Sequence, residues 1–153
     1  MIRIVVLSFL VMGCAKRDAA PAGVSSAAVR LAPSQGKLTA LLEAEVAVAR
    51  ARNLKPFLEL RAEWCGPCKQ LEASMGDPRM NDAFAGTYLI SLDIDAWAQQ
   101  LEGTAFDSSS IPVFYELDAS AKPTGRKING GAWAENIAAN MAPPLKAFFA
   151  DRQ

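Results

Sequence analysis

The stretch "PFLELRAEWCGPCKQLEASM", residues 56–75, sets a short apolar run directly against a Cys-x-x-Cys turn and a segment of helical spacing. The run after Pro56 suits a buried strand over Phe57–Leu60. "CKQLEASM" keeps helical spacing as far as Gly76. Cys65 and Cys68 therefore stand at a strand–helix junction. Upstream, "SQGKLTALLEAEVAVARARN" reads as an amphipathic helix ending near Asn53. Downstream, "DPRMNDAFA" starts a further helical turn or two, with Asp77 as N-cap and Pro78 at the first helical position. "TYLISLDI" is a strand, "AWAQQLEGTAF" a helix interrupted by Gly103, and "IPVFYELD" a strand whose first residues include Pro112. "ASAKPTG" is a turn, "RKING" a short strand, and "APPLKAFFADR" a last helix opening at its prolines. Strands alternating with helices and then a hairpin indicate an α/β fold, a mixed β-sheet covered by helices.

Composition narrows the chemistry. The chain has 153 residues, room for one ordinary domain, and its 51% hydrophobic content is ample for a core without a disulfide framework. Sixteen basic and 16 acidic residues balance, which argues against a nucleic-acid partner. There is no histidine, so His-based acid–base catalysis, Cys–His dyads and His-containing metal sites are excluded. Zinc needs four ligands, and one Cys-x-x-Cys pair supplies two. Covalent haem attachment needs a His after the second cysteine, where this chain has Lys69. No metal is expected. Asp93, Asp95 and Asp107 lack the spacing of a calcium loop and read as strand-end and turn acids. Trp97 and Trp133 read as packing or groove-edge residues, and Phe148 and Phe149 as anchors of the last helix.

A disulfide closing so small a loop stabilises little through chain entropy, which leaves redox chemistry. At a helix N-terminus, unpaired backbone N–H groups and the helix dipole favour a Cys65 thiolate. Cys68, one turn inside, can reach back to it, and Gly66 and Pro67 permit the tight turn between them. The Cys65 thiolate attacks a substrate disulfide, and Cys68 resolves the mixed disulfide.

"AEWCGPCK" resembles the active-site segment of the thioredoxin family, and the resemblance covers roughly residues 38–153. It implies the thioredoxin fold, a central mixed sheet flanked by helices, with Cys65 and Cys68 as the redox pair and no cofactor beyond that disulfide. It further implies a cis peptide at Ile111–Pro112 facing the cysteines, and a substrate groove formed by Trp64, Gly66, Pro67, Ile111, Pro112 and Gly131 of "NGGA". Glu59, six residues before Cys65, stands where the family often carries a buried acid that relays a proton from Cys68. Alternation along "FLEL" leaves open which face Glu59 takes. Arg61 stands where an aromatic is common, and Ser91 where a lysine often lies near that acid. "GDPRMNDAF" is an extra element, and "GAWAENIAANMAPP" is a longer approach to the last helix than the family usually has.

The N-terminus reads as a targeting segment. "MIRIVVLSFLVMGC" has one Arg, a largely apolar run from Ile4 to Met12, and a small Gly13 before Cys14. The run is too short to span a bilayer and suits a signal peptide over residues 1–13. Val11 to Cys14 resembles a bacterial lipobox, which implies lipidation of Cys14, although Met12 departs from the usual small residue. This also accounts for the third, odd cysteine. Residues 14–36 have the Ala/Ser/Pro/Gly composition of a flexible linker, leaving 37–153 as the domain. The expected protein is a periplasm-facing lipoprotein of the cell envelope, with Ala15 favouring the outer over the inner membrane. Its expected partners are substrate proteins with disulfides or thiols, a transmembrane electron donor, and the membrane through the lipid. Reduction of substrate disulfides is the leading activity. An oxidase or isomerase on the same fold, and a non-catalytic binding module or assembly chaperone, are the alternatives.

Overall fold

Apolar residues run almost continuously along the central strands, and the computed structural model, which describes residues 25–107 and 109–150, shows what each parity faces. The five strands are β1 (Ala27–Arg30), β2 (Lys55–Arg61), β3 (Thr87–Asp93), β4 (Val113–Leu117) and β5 (Pro123–Asn129). They form one sheet in the order β1-β3-β2-β4-β5. β3 is parallel to both β1 and β2, whereas β4 and β5 run antiparallel to their neighbours. The helices are α1 (Leu38–Ala51), α2 (Gly66–Ser74), α3 (Pro78–Ala83), α4 (Ala98–Leu101) and α5 (Ala138–Ala150).

Side chains of even number on β2 and β3 (Leu58, Leu60, Ile90, Leu92), with Val113 and Tyr115 of β4, pack with Leu38, Leu42, Val46 and Ala49 of α1. These α1 positions recur at three and four residues, one helix face. On the opposite face, Phe57, Leu89 and Phe114 pack with Leu71 of α2, Met80 of α3, and Met141, Leu145 and Phe149 of α5. Period-2 strands thus divide one sheet between two helical layers.

Local signals set several boundaries. α1 ends where Asn53 adopts φ 55°, a left-handed conformation that asparagine tolerates. The amides of Asn53 and Leu54 then donate to the carbonyls of Arg50 and Ala49, satisfying the helix end. The Asp77 carboxylate caps α3 by accepting from the Arg79 amide at 2.9 Å, with Pro78 at the first helical position. Trp97 is buried and its indole N–H donates to the Leu31 carbonyl. Trp133 and Phe149 are buried, and Phe148 is half-buried.

Four elements differ from the sequence reading. Residues 27–30, read as linker, form edge strand β1. The four residues "AAVR" carry almost no pattern of their own, and their order comes from pairing with Tyr88–Ser91 of β3. The α4 region is only four residues long, and Gly103 lies beyond it with φ +71°. β5 begins at Pro123, an edge position that loses nothing by lacking an N–H. α5 starts at Ala138, five residues before its first proline, and carries Pro143 and Pro144 inside. Those prolines leave the carbonyls of residues 139 and 140 without ladder donors. The buried series Ala138, Met141, Ala142, Leu145 and Phe149 runs through them, so packing outweighs the two lost bonds.

No helix among the described residues is long and apolar enough to cross a membrane. Residues 1–24, including the signal segment and Cys14, lie outside the described residues.

Candidate active site

β2 runs out of the sheet at Arg61, and after Ala62, Glu63 and Trp64 the chain enters α2 with Cys65 as its N-cap. Cys65 and Cys68 are joined as a disulfide, with Cα atoms 5.3 Å apart. The Cys68 amide donates to Cys65 Sγ at 3.1 Å, so an unpaired N–H of the first helical turn already points at the sulfur. A thiolate on Cys65 would sit against that N–H and the positive end of the helix dipole. Both cysteines are buried, with Cys68 at 0% exposure, in an apolar nest of Ala62, Ile94 and Ile111.

The loop before β4 closes over the pair. Ile111–Pro112 is a cis peptide, and the Ile111 carbonyl oxygen lies 3.8 Å from Cys65 Sγ. Gly130, beside Gly131 in the same turn, meets this loop. Its amide donates to the Pro112 carbonyl at 3.2 Å, and a Cβ there would lie 3.9 Å from Pro112 Cδ. Gly131 serves the turn itself by donating to Asn129 Oδ1. A Cβ there would stand 3.1 Å from that oxygen, so the Asn129 side chain would have to give by a few tenths of an ångström.

Trp64 is 65% exposed beside the disulfide, and its indole N–H is held by Asp95 Oδ2 at 2.7 Å. Asp93 accepts from the amides of Glu63, Asp95 and Ala96. These acids therefore brace the turn that carries Trp64. No cluster of metal-ligating side chains occurs among the described residues.

Glu59 faces the α2 side of the sheet, the parity of Phe57, and is 4% exposed. Ser91 Oγ, its partner across β2 and β3, donates to it. Cys68 and Leu71 are the buried residues of α2, three apart on one face. Leu71 packs in the layer of Phe57 and Leu89, while Cys68, one turn earlier on the same helix face, packs with Ala62 and Cys65. Burial pushes the Glu59 carboxyl above its ordinary value of 4.5; the Ser91 hydroxyl, then Arg61 and Arg30, pull it back, and Glu72 adds to the rise.

Such an acid favours the folded state while protonated. Its contribution is present below the ordinary value of 4.5 and is lost as pH rises through the raised value. Wild type is therefore expected to lose thermal stability relative to Glu59→Gln as pH rises above the ordinary value of 4.5. A difference that stays constant over that range would contradict a buried, ionising Glu59.

Sequence reasoning brought together Cys65, Cys68, Trp64, Gly66, Pro67, Ile111 and Pro112, and the structure places them where β2 ends and β4 begins. It missed the charged group behind Glu59. Arg61 Nη2 donates to Glu72 Oε2 at 2.8 Å, and Arg30 reaches both Glu72 and Glu63. Arg61 was visible as a departure from the thioredoxin pattern. Arg30 was hidden because β1 was read as linker.

No family model and no curated protein match this chain. Among solved structures, a disulphide isomerase from Xylella fastidiosa Temecula1 superposes with a TM-score of 0.55 at 17% identity, over 72% of this chain and 87% of that one. Poplar thioredoxin h aligns over 68% of this chain at 14% identity and a TM-score of 0.45, and thioredoxin O2 from Arabidopsis thaliana over 74% at 17% and 0.43. The last two scores are too low to bear on the argument. Strand order, a Cys-x-x-Cys disulfide capping α2 and a cis-proline loop against it, together with the first superposition, identify the chain as having the thioredoxin fold.

Proposed function

We propose that this protein is a thiol–disulfide oxidoreductase that reduces disulfides of substrate proteins through Cys65 and Cys68. The observation that carries the reading is the Cys65–Cys68 disulfide at the N-terminus of α2, faced by Ile111–Pro112. In the reduced protein the Cys65 thiolate attacks one substrate sulfur, and the other leaves with the electron pair. Cys68 then gives up its proton and attacks Cys65 Sγ, which restores the disulfide and frees the second substrate thiol. Two electrons pass from the cysteine pair to the substrate. Glu59, whose carboxyl burial pushes above its ordinary value, is suited to accept the Cys68 proton.

Trp64, Ile111, Pro112 and Gly130 supply the surface on which an extended substrate segment lies. The signal segment and Cys14 support export and a lipid anchor, with the domain facing the periplasm and the outer membrane favoured. In that oxidising compartment a reductant needs an electron source; a transmembrane thiol–disulfide interchange protein fits that need.

Insulin reduction by dithiothreitol, followed by turbidity, tests the activity. The protein is expected to accelerate it well above the rate with dithiothreitol alone, and an unchanged rate would overturn the reading. For the anchor, radiolabelled palmitate is expected on the wild-type chain and absent from Cys14→Ser. Label persisting in that variant would refute lipidation at Cys14.

A further inference from the structure

Strand registers place a row of polar groups beneath α2. Arg30 pairs with Ser91 across β1 and β3, Ser91 with Glu59 across β3 and β2, and Glu59 with Phe114 across β2 and β4. Residues paired in this way share a face of the sheet. Arg61, two residues beyond Glu59 on β2, takes the same face. Between this face and α2 lies a cavity of about 310 Å³, lined by Arg30, Glu59, Arg61, Glu72 and Ser91 among apolar neighbours. A water occupies about 30 Å³ of liquid, so several fit.

Arg61 is the unusual member. It is 5% exposed, yet among the described residues its guanidinium is anchored by Glu72 on α2, and its Nε has no hydrogen-bond partner there. Burying a guanidinium against a single half-exposed carboxylate costs desolvation, and an apolar side chain of similar volume would avoid it. Packing therefore gives no reason for a guanidinium here. Its neighbour Glu59 does, because a fixed positive charge favours the ionised form of a nearby carboxyl.

We propose that Arg61 is a positioning residue for disulfide exchange: anchored by Glu72 and sharing a cavity with Glu59, it keeps that carboxylate available to take the proton of Cys68. This rests on the exchange reading above. In the mixed disulfide, the Cys68 S–H proton passes to Glu59. Cys68 Sγ bonds to Cys65 Sγ, the bond from Cys65 to the substrate sulfur breaks, and its electron pair leaves on that sulfur, which takes a proton from water. Glu59 then releases its proton to the cavity. Arg61 touches neither sulfur and acts through Glu59. The charged groups facing Glu59 are Arg30 from β1, Arg61 from β2 and Glu72 from α2. Ser91 faces it from β3 and the apolar Phe114 from β4. Burial, the largest influence, opposes ionisation, and the two arginines and the Ser91 hydroxyl favour it.

The test follows oxidation of the reduced full-length chain by excess glutathione disulfide across a pH series, read by tryptophan fluorescence. At saturating glutathione disulfide, resolution by Cys68 limits the rate. Wild type is expected to show an acid limb set by Glu59, and Glu59→Gln to lose it. Arg61→Met is expected to move the limb to higher pH and slow the reaction several-fold near neutral pH. Its second-order rate constant at low glutathione disulfide, which reports attack at Cys65, is expected to stay unchanged. Arg61→Lys is expected to restore most of the wild-type profile. Arg61→Gln provides a second neutral variant should Arg61→Met not fold. If the neutral variants keep the wild-type limb while Glu59→Gln abolishes it, the role of Arg61 is overturned and that of Glu59 stands. If Glu59→Gln retains the limb, the proton-acceptor reading fails and takes the Arg61 proposal with it.

Discussion

Cys65→Ser is expected to reduce catalysed disulfide exchange to the uncatalysed rate, whereas Cys68→Ser is expected to stop the protein at a covalent adduct. The two outcomes differ because the two sulfurs stand in different places. Cys65 caps α2, receives the Cys68 amide and lies against the Ile111 carbonyl at the mouth of the groove, so it alone can meet an incoming disulfide. Cys68 has no exposed surface and can react only inward, with Cys65. With serine at 68 the first attack proceeds and the mixed disulfide has no resolving thiol. Mass spectrometry of the product is expected to show protein plus substrate, released by dithiothreitol. An adduct on Cys65→Ser instead would reverse the assignment of attacking and resolving residues.

Phe149→Ala is expected to lower folding stability by about 3–5 kcal/mol, the cost of removing a large buried aromatic side chain. Its ring lies 4.7 Å from Phe57 and from Phe84, 5.6 Å from Phe114 and 5.3 Å from Phe148. Phe57 belongs to β2, Phe114 to β4, and Phe84 follows α3, so this one side chain ties α5 to the sheet and to its neighbouring helix. Domains of this size are stable by about 5–15 kcal/mol in all, so the loss is a large fraction of the total. The midpoint of urea unfolding is expected to fall with little change in slope. A loss below about 1 kcal/mol, the size of a typical surface change, would mean that α5 does not pack as described.

The contrast between α5 and β1 shows what the sequence carries and what it does not. The central strands were legible because they are short apolar runs buried on both faces, and α1 because its apolar residues recur on one face. Asp77 and Asn53 marked helix ends through chemistry local to the chain. α5 misled at its start because a proline pair is a strong local signal for a helix N-terminus, while the contacts that extend the helix to Ala138 come from α3 and the sheet. β1 was illegible for the same reason in stronger form, since four residues rich in alanine become a strand only when β3 offers its edge.

The site divides similarly. The Cys-x-x-Cys junction and the Ile111–Pro112 pair could be read because their residue types are rare and their spacing is tight. The face taken by Glu59 could not be read, because "FLEL" has apolar residues on both sides of it. That Gly130 meets Pro112 depends on how the 3-10 turn after β5 is wound. The Arg30–Glu72–Arg61 group depends on β1 and α2 converging over one cavity, which no single segment announces.

The most direct test is the reduction potential of the Cys65–Cys68 couple in the folded protein, titrated in thiol–disulfide buffers and read by the fluorescence of Trp64 and its neighbours. A reversible two-electron couple near about −270 mV is expected for a reductant with a dedicated electron supply. A couple near about −120 mV would place the protein among disulfide-forming oxidants and contradict the proposed direction. Absence of any reversible couple would contradict thiol–disulfide exchange altogether.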